Sequence, residues 1–174
     1  MKSLLIILIF LVLTSCSTEP KTKIPAKEIV LEGIYNKSDG IIPKLKELKG
    51  NTVVLDFWAT WCAPCIIAFP KITELHNKYS NQNVVFIGIT NDPKEKLETF
   101  LNEQNIPFWI GQDTDGSAFK DYGVTWIPNY VVINRKGNVV YNGNFFDEYI
   151  LKEVIETDTY VEQEKEEVSM ETTD

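Results

Sequence analysis

The residues with the clearest capacity for chemistry are Cys62 and Cys65, in the run Trp61-Cys62-Ala63-Pro64-Cys65. Two thiols three positions apart can close a disulfide, supply half of a metal site or exchange electrons as a dithiol. Their context separates these. The run follows a strand-like apolar stretch and precedes a helical pattern, so Cys62 falls at a helix start. There the orphan N–H groups and the positive end of the macrodipole favour the thiolate. Cys62 is then the exposed nucleophile, and Cys65, one turn further in, is the sheltered thiol that resolves a mixed disulfide. Pro64 begins the helix without losing a needed donor. Structural zinc wants four ligands, and the chain has no second C-x-x-C and a single histidine, so no metal is expected. A purely structural disulfide is the competing reading.

Asp56 is the third residue of interest. It stands inside Thr52-Val53-Val54-Leu55-Asp56-Phe57-Trp58, an apolar run without alternation. A carboxylate buried there is costly, so its pKa should rise and its proton should be partly retained. The alternative is an Asp reaching solvent at a strand end. His76 follows the core position Leu75 and reads as a surface residue without a catalytic role.

These side chains need an α/β scaffold to place them. Thr52–Trp58 is expected as a central strand buried on both faces. A helix should run from Ala63, with Ala68, Ile72, Leu75 and Tyr79 on one face, Phe69 beside them and Pro70 inside. Val84 to Ile89 is the next strand. Asp92-Pro93 reads as an N-cap and N1 pair opening a helix with Leu97, Phe100 and Leu101 inward. Ile29–Leu31 and Phe108–Ile110 are short strand candidates, and a turn near Leu45 and Leu48 closes at Gly50. Asp115 to Tyr122 forms a helical turn stopped by Gly123. Tyr130–Ile133 and Val139–Tyr141 flank a hairpin turn at 134–138, and Phe146, Ile150 and Val154 mark a last helix. The order β-α-β-α-β-α-β-β-α implies a mixed sheet with helices on both faces. Trp58 is expected beneath the thiols and Trp61 on their rim, while Trp109 and Trp126 are expected in the core.

Composition narrows the function classes. The 174 residues are 44% hydrophobic, enough for one packed domain. With 25 acids against 17 bases the net charge is −8, which disfavours nucleic acid as a partner. Much of the acidity lies in residues 157–174, expected to be a solvated, disordered tail. At the other end Lys2 precedes an unbroken apolar run, Leu4 to Leu13, too short to span a bilayer and suited to a secretory signal. Leu13-Thr14-Ser15-Cys16 resembles the lipobox of bacterial lipoproteins. That resemblance implies a signal peptide over 1–15, a lipid on Cys16 and a tether over 16–28.

Val54 to Cys65, including Trp58-Ala59-Thr60-Trp61-Cys62-Ala63-Pro64-Cys65, closely resembles the thioredoxin family. Pro70 and the segment Trp126-Ile127-Pro128-Asn129-Tyr130 match further family features. The long segment from Asn91 to Gly123 is similar to the membrane-anchored TlpA/ResA-type thiol-disulfide oxidoreductases and the wider redoxin group. The resemblance covers about Glu32 to Ile155. It implies a thioredoxin-like fold, with an insertion before the cis-proline strand. It also implies a cis Pro128 beside the sulfurs, an Ile127 backbone that pairs with an extended substrate, and Asp56 as a general base towards Cys65. The implied substrate-contacting set is Trp61, Ala63, Pro64, Ile127 and Pro128. No cofactor is implied.

The implied partners are protein disulfides, among them apocytochrome c, and a membrane electron donor of the DsbD/CcdA kind. The protein is expected as a monomer on the extracytoplasmic, periplasmic face of the envelope. Two departures from the TlpA/ResA pattern stand out. Ala68 replaces a frequent Glu, and Ile127 stands where Thr is common. Proton handling therefore looks thioredoxin-like, which weakens the link to cytochrome c maturation. Ala63-Pro64 and Ile127 point to the reducing direction. The alternatives are a redoxin-type peroxidase, disfavoured by Trp61 and the full C-x-x-C, and a binding lipoprotein with a silent disulfide.

Overall fold

The structure, a computed structural model, describes residues 24–160. The strands in this range are β1 (Ile24–Pro25), β2 (Gly33–Tyr35), β3 (Thr52–Trp58), β4 (Val84–Thr90), β5 (Trp109–Gln112), β6 (Asn129–Ile133) and β7 (Asn138–Gly143). The helices are α1 (Ala63–Tyr79), α2 (Lys94–Glu103), α3 (Ser117–Asp121) and α4 (Glu148–Thr157), with 3-10 turns at Leu45–Leu48 and Ser80–Gln82. The strands form one mixed sheet in the order β1-β7-β6-β3-β4-β5-β2.

β3 is the centre of that sheet because its sequence lets both faces be covered. It runs parallel to β4 and antiparallel to β6, and all seven of its residues are buried. Side chains alternate across a strand, so β3 feeds two separate cores. Val54 and Trp58 join Cys65, Phe69, Ile72 and Leu75 of α1, Leu97 of α2 and Ile150, Leu151 and Val154 of α4. Val53, Leu55 and Phe57 join Ile87 and Ile89 of β4, with Ala118 of α3 and Tyr122 just beyond it. Each fully buried Leu or Ile contributes about 1.5–3 kcal/mol relative to exposure. Phe69, rather than Ala68, carries the inner face of α1 at that turn; Ala68 is only half-buried.

Several boundaries differ from the sequence expectation. Ile29–Leu31 belongs to no strand, and Gly33–Tyr35 is the strand that pairs with β5. The reason is packing. Leu31 lies over Gly111, where a Cβ would come within 2.6 Å of its Cδ1, so this segment crosses the sheet face rather than extending its edge. Residues 24–28, expected within the tether, belong to the fold. Ile24 and Pro25 pair with β7, and the Glu28 carboxylate accepts the N–H groups of Leu45 and Lys46 at 2.7 and 2.9 Å.

At the other end, the expected tail starts inside α4. Thr157 is its last residue, and Asp158 pairs with Lys136 at 2.7 Å and accepts the Arg135 N–H at 3.1 Å. The 1–15 signal segment, Cys16 and the tail beyond Tyr160 lie outside the described residues.

Candidate active site

Three chain segments meet at one end of the sheet. β3 ends at Trp58, β6 starts opposite it with Asn129 paired to Phe57, and β7 ends where Gly143 pairs with Tyr130. The loops beyond these points carry Cys62, Pro128 and Phe145. The Ile127–Pro128 peptide bond is cis.

Cys62 and Cys65 form a disulfide, with Cα atoms 5.3 Å apart. Cys62 is the N-cap of α1, and its Sγ receives the Cys65 N–H at 3.3 Å. An N-cap normally supplies an oxygen to an orphan helix N–H; here the sulfur takes that place. The same N–H, with the helix dipole behind it, would meet a thiolate on Cys62 after reduction. Ala63 and Pro64 follow in the first turn and are exposed. The expectation of an exposed Cys62 is corrected in this oxidised form. Cys62 is 4% exposed and Cys65 1%, because both sulfurs are packed in the α1 core cluster with Trp58, Ala59 and Phe69.

Asp56 shares a sheet face with that cluster, since it alternates with Leu55 and Phe57 and stands in phase with Val54 and Trp58. It is 3% exposed, and its Oδ1 has no hydrogen-bond partner. Burial pushes its pKa up to about 8. Opposite it on β6 stands Tyr130, whose phenol is held up by burial and by the Asp56 charge. A carboxyl with this pKa can take and return a proton near neutrality.

The aromatic side chains divide sharply. Trp58 is fully buried and packs edge-on against Phe69 at 4.9 Å and tilted against Phe100 at 5.3 Å. Trp61 is 72% exposed on the rim. Trp126, expected in the core, is 81% exposed; in the loop before Pro128 it is the neighbouring Ile127 that packs against the core clusters. Trp109 is half-buried, with the Lys37 ammonium 5.2 Å from its ring centre. Phe145 is also exposed at this end and gave no sequence signal.

His76 is half-buried rather than a surface residue. Its ring lies 5.8 Å from Phe86 and 6.1 Å from Phe108, and burial lowers its pKa. It sits three turns along α1 from Cys65, about 16 Å at 1.5 Å per residue, too far to serve the sulfurs.

Asp92 also departs from expectation. It does not cap α2, whose N-cap is Pro93. Its Oδ2 instead accepts the Thr60 N–H at 2.6 Å and the Thr90 hydroxyl at 2.9 Å. Among the described residues, no group of three His, Cys, Asp or Glu side chains is arranged to hold a metal ion.

A mixed sheet with a disulfide at the N-terminus of the helix after its central strand, and a cis-proline loop at the same end of the sheet, defines a thioredoxin-like protein. The chain belongs to the Redoxin family, whose profile matches residues 20–158. It is 34% identical to the thiol-disulfide oxidoreductase ResA of Bacillus thuringiensis subsp. konkukian over 98 residues, 56% of this chain and 57% of that one. It is 30% identical to ResA of Bacillus subtilis strain 168 over 121 residues, 66% of this chain and 68% of that one. The chain thus spans little more than half the length of the first of these relatives.

Among solved structures, it is similar to a Chlorobium tepidum protein provisionally assigned as a thiol:disulfide interchange protein DsbE. The TM-score is 0.64 and the identity 29%, with 77% of this chain and 92% of that one covered. The exposed lipoprotein thioredoxin Etrx1 of Streptococcus pneumoniae shares the fold, with a TM-score of 0.64, 20% identity and coverage of 75% and 98%.

Proposed function

We propose that this protein is a lipid-anchored, extracytoplasmic thiol-disulfide oxidoreductase that reduces protein disulfides. The observation that carries the reading is the Cys62–Cys65 disulfide at the N-terminus of α1, with the Cys65 N–H directed at the Cys62 sulfur. In the reduced enzyme the Cys62 thiolate attacks one sulfur of a substrate disulfide. A mixed disulfide forms and one substrate thiolate leaves. The Cys65 thiolate then attacks the Cys62 Sγ, restoring the internal disulfide and releasing the second substrate thiol. Two electrons pass from the dithiol to the substrate. Asp56 takes the Cys65 proton ahead of that second attack and returns it later.

Trp61 and Trp126 give the site an exposed apolar rim, which suits an unfolded or extended polypeptide. Ala63, Pro64 and the Ile127–Pro128 loop complete the contact surface, with the Ile127 backbone pairing to the substrate strand. Re-reduction falls to a membrane donor of the DsbD/CcdA kind. The protein works as a monomer, held to the membrane through a lipid on Cys16 after removal of residues 1–15. The folded domain extends at least over 24–160.

Insulin reduction with dithiothreitol tests the activity. The wild-type chain should accelerate precipitation and Cys62→Ser should not; equal rates for the two would refute the dithiol reading. Equilibration with glutathione tests direction. A potential near the oxidising extreme of about −120 mV would overturn the reductant role. Mass spectrometry of the mature N-terminus tests the anchor: an unmodified Cys16 would remove it.

A further inference from the structure

We propose that Asp92 is a positioning residue that clamps the redox loop through Thr60 and so sets the equilibrium between the Cys62–Cys65 disulfide and its dithiol. The inference rests on the dithiol reading above. The loop from Ala59 to Cys62 joins β3 to α1, and Cys62 is held in it by its own N–H to the Ala59 carbonyl at 3.0 Å. One residue on from Ala59, the Thr60 N–H donates to Asp92 Oδ2 at 2.6 Å. Asp92 is 3% exposed, so the accepting oxygen of this bond is shielded from water.

Asp92 is itself immobilised. Its carboxylate takes the Thr90 hydroxyl at 2.9 Å, and its carbonyl takes the Gln112 side-chain N–H at 3.2 Å. Gln112 in turn accepts the Tyr35 hydroxyl at 3.3 Å. A chain of polar contacts, buried at Thr90, Asp92 and Gln112 and part-buried at Thr60 and Tyr35, therefore runs from the redox loop across the ends of β4 and β5 to β2. The three strands beyond β3 on that side act as a rigid anchor for the Cys62 side of the pair. Cys65 needs no such anchor, because α1 and its core hold it.

The consequence is a matter of effective concentration. An internal disulfide is favoured to the extent that its two sulfurs are held in reach of one another in the dithiol. Releasing the loop lets the Cys62 thiol wander, and the disulfide becomes easier to reduce. No electron or proton passes through Asp92. Its contribution is geometric, so an uncharged side chain of the same shape should serve.

The test is the glutathione equilibrium constant of the full chain and its variants, with thermal stability measured alongside. Asp92→Ala should shift the equilibrium towards the dithiol by about tenfold, equivalent to about 30 mV. Asp92→Asn, whose amide oxygen still accepts the Thr60 N–H, should stay within about threefold of wild type. Asp113→Ala is the control. Asp113 is a fully buried carboxylate that accepts the Ala118 and Phe119 N–H groups of α3 and makes no bond to the loop. Its loss should lower stability and leave the equilibrium in place.

A wild-type equilibrium in Asp92→Ala, or equal shifts in Asp92→Ala and Asp113→Ala, would overturn the proposal. Should Asp92→Ala not fold, hydrogen exchange of the wild-type Thr60 amide decides: protection supports the clamp and free exchange refutes it. A chain that equilibrates with glutathione but does not reduce insulin would sink the functional reading and still leave this equilibrium measurable.

Discussion

Asp56 is paired across the parallel β3–β4 ladder with Gly88, the one residue of β4 without a side chain. No cation can therefore reach the carboxyl from that position. The space over Gly88 is filled instead by Ile110 Cδ1 and Trp58 Nε1, which would stand 2.7 and 2.9 Å from a Cβ there. On the other side, across β6, stands Tyr130. Burial is the sole cause of the Asp56 shift, and it raises the pKa from 3.8 to about 8.

Stability should carry the signature of that shift. The folded carboxyl keeps its proton up to about pH 8, whereas the unfolded one loses it near pH 3.8. Between these values the native state binds one more proton than the unfolded state, so stability falls as pH rises across the window and is level outside it. Asp56→Asn should lack this slope. At pH 8 it should exceed wild type by on the order of a few kcal/mol in denaturant titrations. A flat wild-type profile between pH 4 and 8 would contradict the buried, unpaired carboxyl.

The catalytic proposal for Asp56 has a separate readout. In single-turnover reduction of a protein disulfide, release of the mixed disulfide should speed up as pH rises through about 8 in the wild type, where the base form appears. Asp56→Asn should slow that step by about 10²-fold at pH 8. The initial attack by Cys62 should be affected far less. An unchanged release rate would remove the base role.

The two cysteines should fail differently. Cys65→Ser should accumulate a stable mixed disulfide with substrate through Cys62, detectable on a non-reducing gel. Cys62→Ser should trap nothing, because the helix N-cap position and the N–H that favour a thiolate belong to Cys62, and Cys65 lies one turn inside α1. Equal trapping by both would reverse the assignment of nucleophile and resolving thiol.

Trp61→Ala and Trp126→Ala should raise KM for a protein substrate with little change in kcat, each by about 3- to 30-fold. Their exposures of 72% and 81% predict unfolding midpoints close to wild type. A small dithiol-reactive substrate that cannot reach the rim should be turned over normally by both variants.

Gly88→Ala should destabilise the protein by about 1–3 kcal/mol, because the new methyl meets packed side chains rather than a mobile surface group. The displaced Trp58 lies under the active-site core, so insulin reduction should fall with stability. A neutral substitution would show that Trp58 and Ile110 can move apart without cost.

The sequence alone determined those features that depend on local pattern. The unbroken apolar run Thr52–Trp58 specified a strand buried on both faces, and the spacing of Cys62, Cys65 and Pro64 specified a helix start with a dithiol. A lone carboxylate in that run was enough to expect a raised pKa for Asp56. Tertiary structure decided whatever depends on partners distant in the chain. Asp92 has the local signature of a helix cap, yet its carboxylate is used by Thr60, 32 residues earlier. Trp126 has the apolar character of a core residue, yet Ile127 beside it takes the inward place and Trp126 is left exposed. Ile29–Leu31 has strand character, yet Gly111 opens a place for Leu31 on the sheet face and the edge is taken by Gly33–Tyr35. In each case short-range propensity was satisfied by more than one arrangement, and long-range packing and hydrogen bonding selected among them.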